Sequence, residues 1–399
     1  MNKPLTVIYA AIGLDAVGIG LIFPILPRLI EEVTHAGNVA PYVGILTALY
    51  AAMQFVFAPV LGTLSDRLGR RPVLLISLGG ATLNYLSMAL APSLWVLVLG
   101  RAIAGLTSAN ISVAMAYITD ISPEKTRAKR FGLFNAMFGI GFILGPVLGG
   151  VLGDYWLRLP FIAAGVLTAG NLLLALFVLP ESRAPSSEKV DLAALNPLRP
   201  LRWALSMKPL TPAIATFFIL SATGEVYGTC WALWGNDVFQ WNGLWIGLSL
   251  GAFGVCQTLA QAFLPGPAVE LLGERGAVLT GIAGACISLV VLALARQGWV
   301  VFAIMPMLAL AGIGAPALQS LASRLVDESR QGQFQGVLSS AMSLASVVGP
   351  LMFSSFYFVV RGEWPGAIWL SALLVNALAV PLVLSLRFNF SPHTERGLS

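Results

Sequence analysis

The chain has 399 residues, of which 57% are hydrophobic and only 10% charged, with a formal net charge of +5. Soluble domains carry about 25% charged residues, so this chain cannot supply a water-facing surface of the usual kind. Two histidines and three cysteines, without metal-ligand spacing, argue against a metal site or a Ser-His-Asp arrangement.

Twelve predominantly apolar runs follow in chain order: 4–27, 42–65, 72–92, 94–119, 131–153, 159–180, 209–236, 238–264, 276–295, 297–323, 331–360 and 366–386. Asp15, Arg101 and Glu225 are the only charges inside them. A helix needs roughly 20 apolar residues to cross the hydrocarbon core, and each run is long enough. Lipid leaves only helices or closed barrels, and runs of this length without period-2 alternation exclude a barrel. The predicted fold class is an all-α membrane protein of twelve transmembrane helices, numbered spans 1 to 12. The first run is too long for a signal-peptide core and lacks a convincing cleavage site, so it is read as a retained span.

Placing the N-terminus inside puts eighteen of the 23 Lys and Arg in cytoplasmic segments and four (Arg28, Arg158, Arg296, Arg361) outside. Both termini are therefore expected in the cytoplasm. The basic charge follows from topology and is no nucleic-acid footprint. No Gly-rich phosphate loop is present for ATP-driven chemistry, and no cofactor is expected.

The one long polar segment, 181–208, divides the chain into an N-terminal six-helix bundle (1–180) and a C-terminal one (209–399). Within it, Leu195-Asn-Pro-Leu-Arg-Pro-Leu-Arg-Trp203 mixes basic and apolar residues. It suits either a short helix on the inner membrane surface or a plain tether. The halves echo each other at a period near 204. Gln54 matches Gln257, Gly62-x3-Asp66-x2-Gly69 matches Gly266-x3-Glu270-x2-Gly273, and Gly145-Pro146 matches Gly349-Pro350. Parallel six-helix repeats around a midplane site are a transporter plan, and one chain already holds both halves, so a monomer suffices.

Between spans 2 and 3 the chain reads Gly62-Thr-Leu-Ser-Asp66-Arg67-Leu-Gly69-Arg70-Arg71-Pro72. The glycines allow a tight turn and Pro72 suits a first helical turn. The arginines stand near acidic loop residues such as Asp120. Read alone, this is a basic inside loop. In this order the string resembles the loop motif of the major facilitator superfamily. That resemblance implies a cytoplasmic gate built from Gly62, Asp66, Arg67, Gly69, Arg70, Arg71 and Asp120. Span 5 carries Gly139-Ile-Gly141-Phe-Ile-Leu-Gly145-Pro146-Val-Leu-Gly149-Gly150. This is similar to the span-5 motif of the superfamily's drug/proton antiporters, with Gly141, Gly145, Pro146 and Gly149 at its centre. Leu97-x3-Arg101-x3-Gly105 resembles a further family motif. Arg101 either snorkels to the outer surface or assists proton transfer.

Nearly the whole chain resembles the twelve-helix tetracycline/proton antiporters. The matching strings include Leu14-Asp15-Ala16-Val17-Gly18-Ile19-Gly20-Leu21-Ile22, Ala48-Leu49-Tyr50-Ala51, Ala315-Pro316-Ala317-Leu318-Gln319 and Arg330-Gln331-Gly332-Gln333. The resemblance implies proton-coupled drug efflux from the bacterial inner membrane, with the drug travelling as a magnesium chelate. It gives roles to Asp15, Gln54, Asp66, Arg70 and Gln261. Four positions depart from the family pattern. Asn84 stands for a carboxylate, Ala285 for an Asp essential to proton exchange, Gln257 for a His found in part of the family, and Glu225 for a Gln.

Asp15 lies about 15 Å into span 1 at 1.5 Å per residue, and Glu225 slightly beyond the middle of span 7. Low dielectric disfavours a charged carboxyl group, which suits such a group to carrying a proton. Glu225 is therefore expected to replace the missing span-9 acid, with Asp15 orienting substrate or sharing the proton. Either acid can instead be a protonated structural group. Asn84, Asn110, Gln54, Gln257 and Gln261 are expected to meet the drug, or to tie helices together, with Tyr85 as an apolar wall beside them. Tyr227, Phe217, Trp231 and Trp234 are expected as apolar walls, while Trp241 and Trp245 read as interfacial belt residues. Another amphipathic or cationic substrate fits the same fold. Uptake symport is weakened by the span-5 motif, and an enzyme or receptor lacks both a reactive cluster and a soluble domain.

Overall fold

The computed structural model describes residues 3–108, 110–183, 196–207, 210–327 and 330–386. Twelve helices among them are long and apolar enough to cross a membrane. They are Pro4–Ile22, Ala40–Leu68, Arg70–Leu90, Leu94–Asp120, Glu124–Tyr155, Leu159–Val178, Thr211–Phe239, Gly243–Phe263, Pro265–Leu294, Gly298–Ser323, Gln333–Val360 and Ala367–Ser385. Phe177, Leu271 and Val359 are 86%, 83% and 73% exposed, an apolar outer surface that suits lipid rather than water. The protein is a multi-pass membrane protein.

Several elements differ in extent from the sequence expectation; span 5, for one, begins at Glu124 and not at 131. Span 1 stops at Ile22, because Pro24 and Pro27 cannot donate backbone hydrogen bonds, and a short helix, Leu26–Thr34, restarts beyond the break. Span 9 is helical from Pro265 but turns sharply at Gly273 (φ 69°). Its counterpart 204 residues earlier, Gly69, has φ 102° and joins spans 2 and 3. Only glycine adopts such backbone angles without strain. The segment 195–203, open between a short helix and a plain tether, contributes to a helix at Arg199–Ser206. It packs on span 11, where Ser340 Oγ donates to the Pro197 carbonyl at 3.1 Å.

Span 1 runs along span 5, span 2 along span 11, span 5 along span 8, and span 7 along span 11. The first six spans therefore meet the last six chiefly through the pairs 2–11 and 5–8. Span 5 reaches two neighbours because its glycines leave room for their backbones. A Cβ at Gly141, Gly145 or Gly149 would fall on the span-1 carbonyls of Gly13, Val17 and Leu21, and one at Gly150 on the Gly243 carbonyl of span 8.

The buried apolar residues form three clusters. One joins both groups of spans, from Ile25 and Leu29 to Trp231, Trp234 and Trp369. The other two stay within one group each: Leu210, Ile282 and Phe334 in the last six spans, Ile8, Val73 and Tyr117 in the first six. The shared cluster lies on the face away from the 181–208 segment, here the far face. The separate clusters lie on the linker face. The two groups of spans thus share a core at one end and part at the other.

Candidate functional site

Between the two groups lies a cavity of about 600 Å³, walled by spans 1, 2, 3, 4, 7 and 11. Helical periodicity sets which side chains reach it. Asp15 shares a face of span 1 with Ile19 and Ile22, and Glu225 shares a face of span 7 with Gly228. Span 11 contributes Ser339, Ser343 and Ser346, at i, i+4 and i+7. Tyr50, Gln54, Asn84, Tyr85, Arg101 and Asn110 complete the polar lining from spans 2, 3 and 4.

Asn110 Nδ2 donates to Asp15 Oδ1 at 3.3 Å. The Tyr50 and Ser108 hydroxyls share a hydrogen bond of 2.9 Å, and Gln54 Nε2 donates to Ser108 Oγ at 3.1 Å. Across the cavity, Ser346 Oγ donates to Glu225 Oε1 at 2.5 Å. The Arg101 guanidinium lies 5.6 Å from the Tyr50 ring centre. Tyr85 passes over Gly18, whose missing side chain makes room for the tyrosine hydroxyl. Ser77 Oγ, Asn84 Oδ1, Arg101 Nε and Asn110 Oδ1 are buried without a hydrogen-bond partner. Buried polar atoms are nearly always satisfied, so these four leave hydrogen-bonding capacity on this wall.

Other expected site residues stand elsewhere. Tyr227 stacks on Trp369 and Trp231 meets it edge-on inside the last six spans, and Trp231 Nε1 donates to Ser249 Oγ at 2.8 Å. Phe217 and Trp234 are likewise buried in apolar clusters. These aromatic residues lie on faces of span 7 other than the Glu225 face, so they pack the bundle and do not line the cavity. Gln257 abuts Gly312 at a short 3-10 turn, Leu310–Ile313, within span 10. Gln261 is exposed. Neither lines the cavity. Ala285 is buried in span 9. Trp241, expected at the interface, is buried against Phe239 and Phe302, whereas Trp245 is half exposed.

The expected gate residues gather on the linker face. Arg70 pairs with Asp66 at 2.8 Å and Asp120 at 3.1 Å, and donates to Ser65 Oγ. The Glu181 carboxylate accepts the Arg70 and Arg71 backbone N–H groups at 2.7 and 3.1 Å, and Arg183 reaches Asp66 at 2.9 Å. Arg67 is exposed, and Gly62 has open space beside it. In the last six spans, Glu274 pairs with Arg324 at 2.7 Å. Positions 274 and 324 follow 70 and 120 by 204 residues, so the same pair recurs with its charges exchanged. Among the described residues, none of these ion pairs joins the two groups of spans.

The far face has the reverse pattern. Asp154 at the end of span 5 pairs with Arg28 at 2.6 Å. It also accepts the Gly243 and Leu244 N–H groups at 3.0 and 2.8 Å, at the start of span 8. Arg361 pairs with Asp237 at 2.6 Å and donates across to the Gly37 carbonyl at 3.3 Å. The hydrogen bond to Asp237 is the largest influence on Arg361 and raises its pKa above the ordinary value. The cavity is sealed at the far face, where the apolar core is shared, and the groups part toward the linker face. Sequence reasoning missed Asp154, Glu181 and the serines of span 11. The i, i+4, i+7 spacing of Ser339, Ser343 and Ser346 was the available signal.

A cavity of mixed apolar and polar lining between two sets of six spans, closed at one end only, defines a membrane transporter working by alternating access. The Major Facilitator Superfamily model matches residues 8–248 and 214–398, and the chain belongs to that superfamily. It is 46% identical to the class C tetracycline resistance protein of Escherichia coli, over 95% of this chain and 96% of that protein. It is 44% identical to the class G tetracycline resistance protein of Vibrio anguillarum, over 93% and 95%. The fold is similar to the crystal structure of the nucleoside transporter NupG, with a TM-score of 0.81 at 12% identity over 96% of this chain and 99% of that one.

Proposed function

We propose that the protein exports tetracycline-like drugs in exchange for protons. The observation that carries this reading is the cavity itself, walled by Asp15 of span 1 and Glu225 of the equivalent span 7, beside an apolar core that the two groups share at the far face. Full-length similarity to tetracycline resistance proteins supports the choice of drug.

In this reading the linker face is cytoplasmic, as the loop charges support, and the membrane is the bacterial inner membrane. Drug enters from the linker side, as a magnesium chelate, and meets Asp15, Gln54, Asn84, Tyr85 and Asn110. Glu225 is the main exchangeable proton site. Protonated, it is neutral beside Ser346; deprotonated, it presents a charge that the drug or the next proton compensates. Asp15 shares the proton and Arg101 assists its release. The Asp66–Arg70–Asp120 cluster is the cytoplasmic gate, re-formed against the other bundle when the two bundles rock. A single chain is the working unit.

The test uses proteoliposomes with the linker face outward, an acidic lumen and an internal pH dye. Tetracycline with magnesium added outside is expected to drive proton loss, and Glu225→Gln to abolish it. Absence of drug-driven proton loss in the wild type sinks the exchange, and its survival in Glu225→Gln removes that residue from the proton path. Two cavity carboxyl groups also favour a second reading, export of another cationic amphipathic drug. Proton loss with such drugs and not with tetracycline would select it.

A further inference from the structure

The geometry points to Arg101 as the receptor for a deprotonated acidic group on the substrate, so that the cavity selects drugs carrying an anionic oxygen. This inference rests on the export reading and names the chemistry that its cavity prefers.

Arg101 is 8% exposed and lines the cavity from span 4. Among the described residues no carboxylate lies within ion-pair distance of it, since every ion pair found involves other groups. Its Nε has no hydrogen-bond partner, and its guanidinium lies over the face of Tyr50. An uncompensated cation at membrane depth is costly, and such residues almost always pair. Asp15, on the same wall, is held by Asn110 instead. The missing counter-charge is what a ligand would bring. A planar guanidinium fork suits a carboxylate or an enolate, because two parallel N–H donors match two oxygens.

Asn84 is a neutral residue on the span-3 wall that faces this turn of span 4. It is 4% exposed, and its Oδ1 is unpartnered. That oxygen stands 3.6 Å from where a Cβ would sit on Gly100, the residue before Arg101. A neutral amide here leaves the guanidinium charge available to substrate. A carboxylate here would compete with the substrate for it.

The experiment measures equilibrium binding of a fluoroquinolone carboxylic acid and its ethyl ester to the full-length protein in nanodiscs near neutral pH. The two probes share a skeleton and differ in the anionic group. The wild type is expected to bind the acid at least about tenfold more tightly, the scale of a charge-assisted bond. Asn84→Asp and Arg101→Gln should bring the ratio to about one, and Arg101→Lys should keep part of it. Asn84→Asp, which retains size and polarity, covers the case in which Arg101→Gln does not fold. Equal binding of acid and ester in the wild type, binding of neither, or an unchanged ratio in Asn84→Asp overturns the proposal. Tetracycline-driven proton loss, measured separately, reports on the export reading itself. Its presence with an acid-to-ester ratio of one would remove the anion receptor and leave export standing.

Discussion

The Asp154 carboxylate is the strongest polar link across the far face, so removing it tests whether that face is a closed gate. Asp154→Ala deletes two hydrogen bonds from the Gly243 and Leu244 backbone to a charged acceptor and one ion pair to Arg28. Hydrogen bonds to charged groups are worth about 1.5–3 kcal/mol each when buried. Asp154 and Arg28 side chains are 23% and 42% exposed, so the ion pair adds little and the bonds fall toward the low end. A net loss of about 2 kcal/mol is reasonable, roughly a 30-fold shift toward the far-open state. The assay replaces Cys230, Cys256 and Cys286 with serine, adds Thr47→Cys on the cavity wall, and follows labelling by an impermeant maleimide supplied from the far face. Labelling should accelerate roughly 30-fold in Asp154→Ala and less in Asp154→Asn, which keeps one oxygen acceptor. An unchanged rate in Asp154→Ala would refute the gate, because the bonds would then hold nothing that opens.

Two further perturbations probe the linker face and the cavity. Gly69→Ala forces a positive φ and drives its methyl onto the Glu181 carboxylate, whereas Gly273→Ala carries only the backbone strain, with open space around it. Such strain costs about 1–3 kcal/mol, so thermal unfolding in detergent should drop for both and further for Gly69→Ala; equal drops would count against the Glu181 contact. Ser346→Ala removes the hydrogen bond to Glu225, about 1 kcal/mol, and should shift the pH dependence of transport with little change in fold stability. An unaltered pH profile would mean that Ser346 does not tune the proton site.

The twelve spans were legible because each is a local statement: an apolar run long enough to cross lipid must close its own hydrogen bonds. The 204-residue echo was legible too, and it reappears in backbone conformation at Gly69 and Gly273. Asp15 and Glu225 stood out because a charge inside an apolar run has few reasons to be there. The glycines of span 5 were readable as small residues, but which carbonyls they admit was not. That depends on spans 1 and 8 lying on two sides of one helix.

The aromatic residues show where reading by type gives out. Tyr227 and Trp231 sit within six residues of Glu225, yet a few residues' offset at 3.6 per turn puts them on a different helical face. There they pack against Trp369, from a segment more than 130 positions away. Asp154 carried no local mark either, being one more acid at the end of a run. Its role arises because span 5 ends beside the first turn of span 8, whose unpaired N–H groups need an acceptor. Composition and period fix what crosses the membrane, since burial in lipid acts on each segment alone. Which face is sealed, and which polar atoms share the cavity, were decided only by packing between segments far apart in the chain.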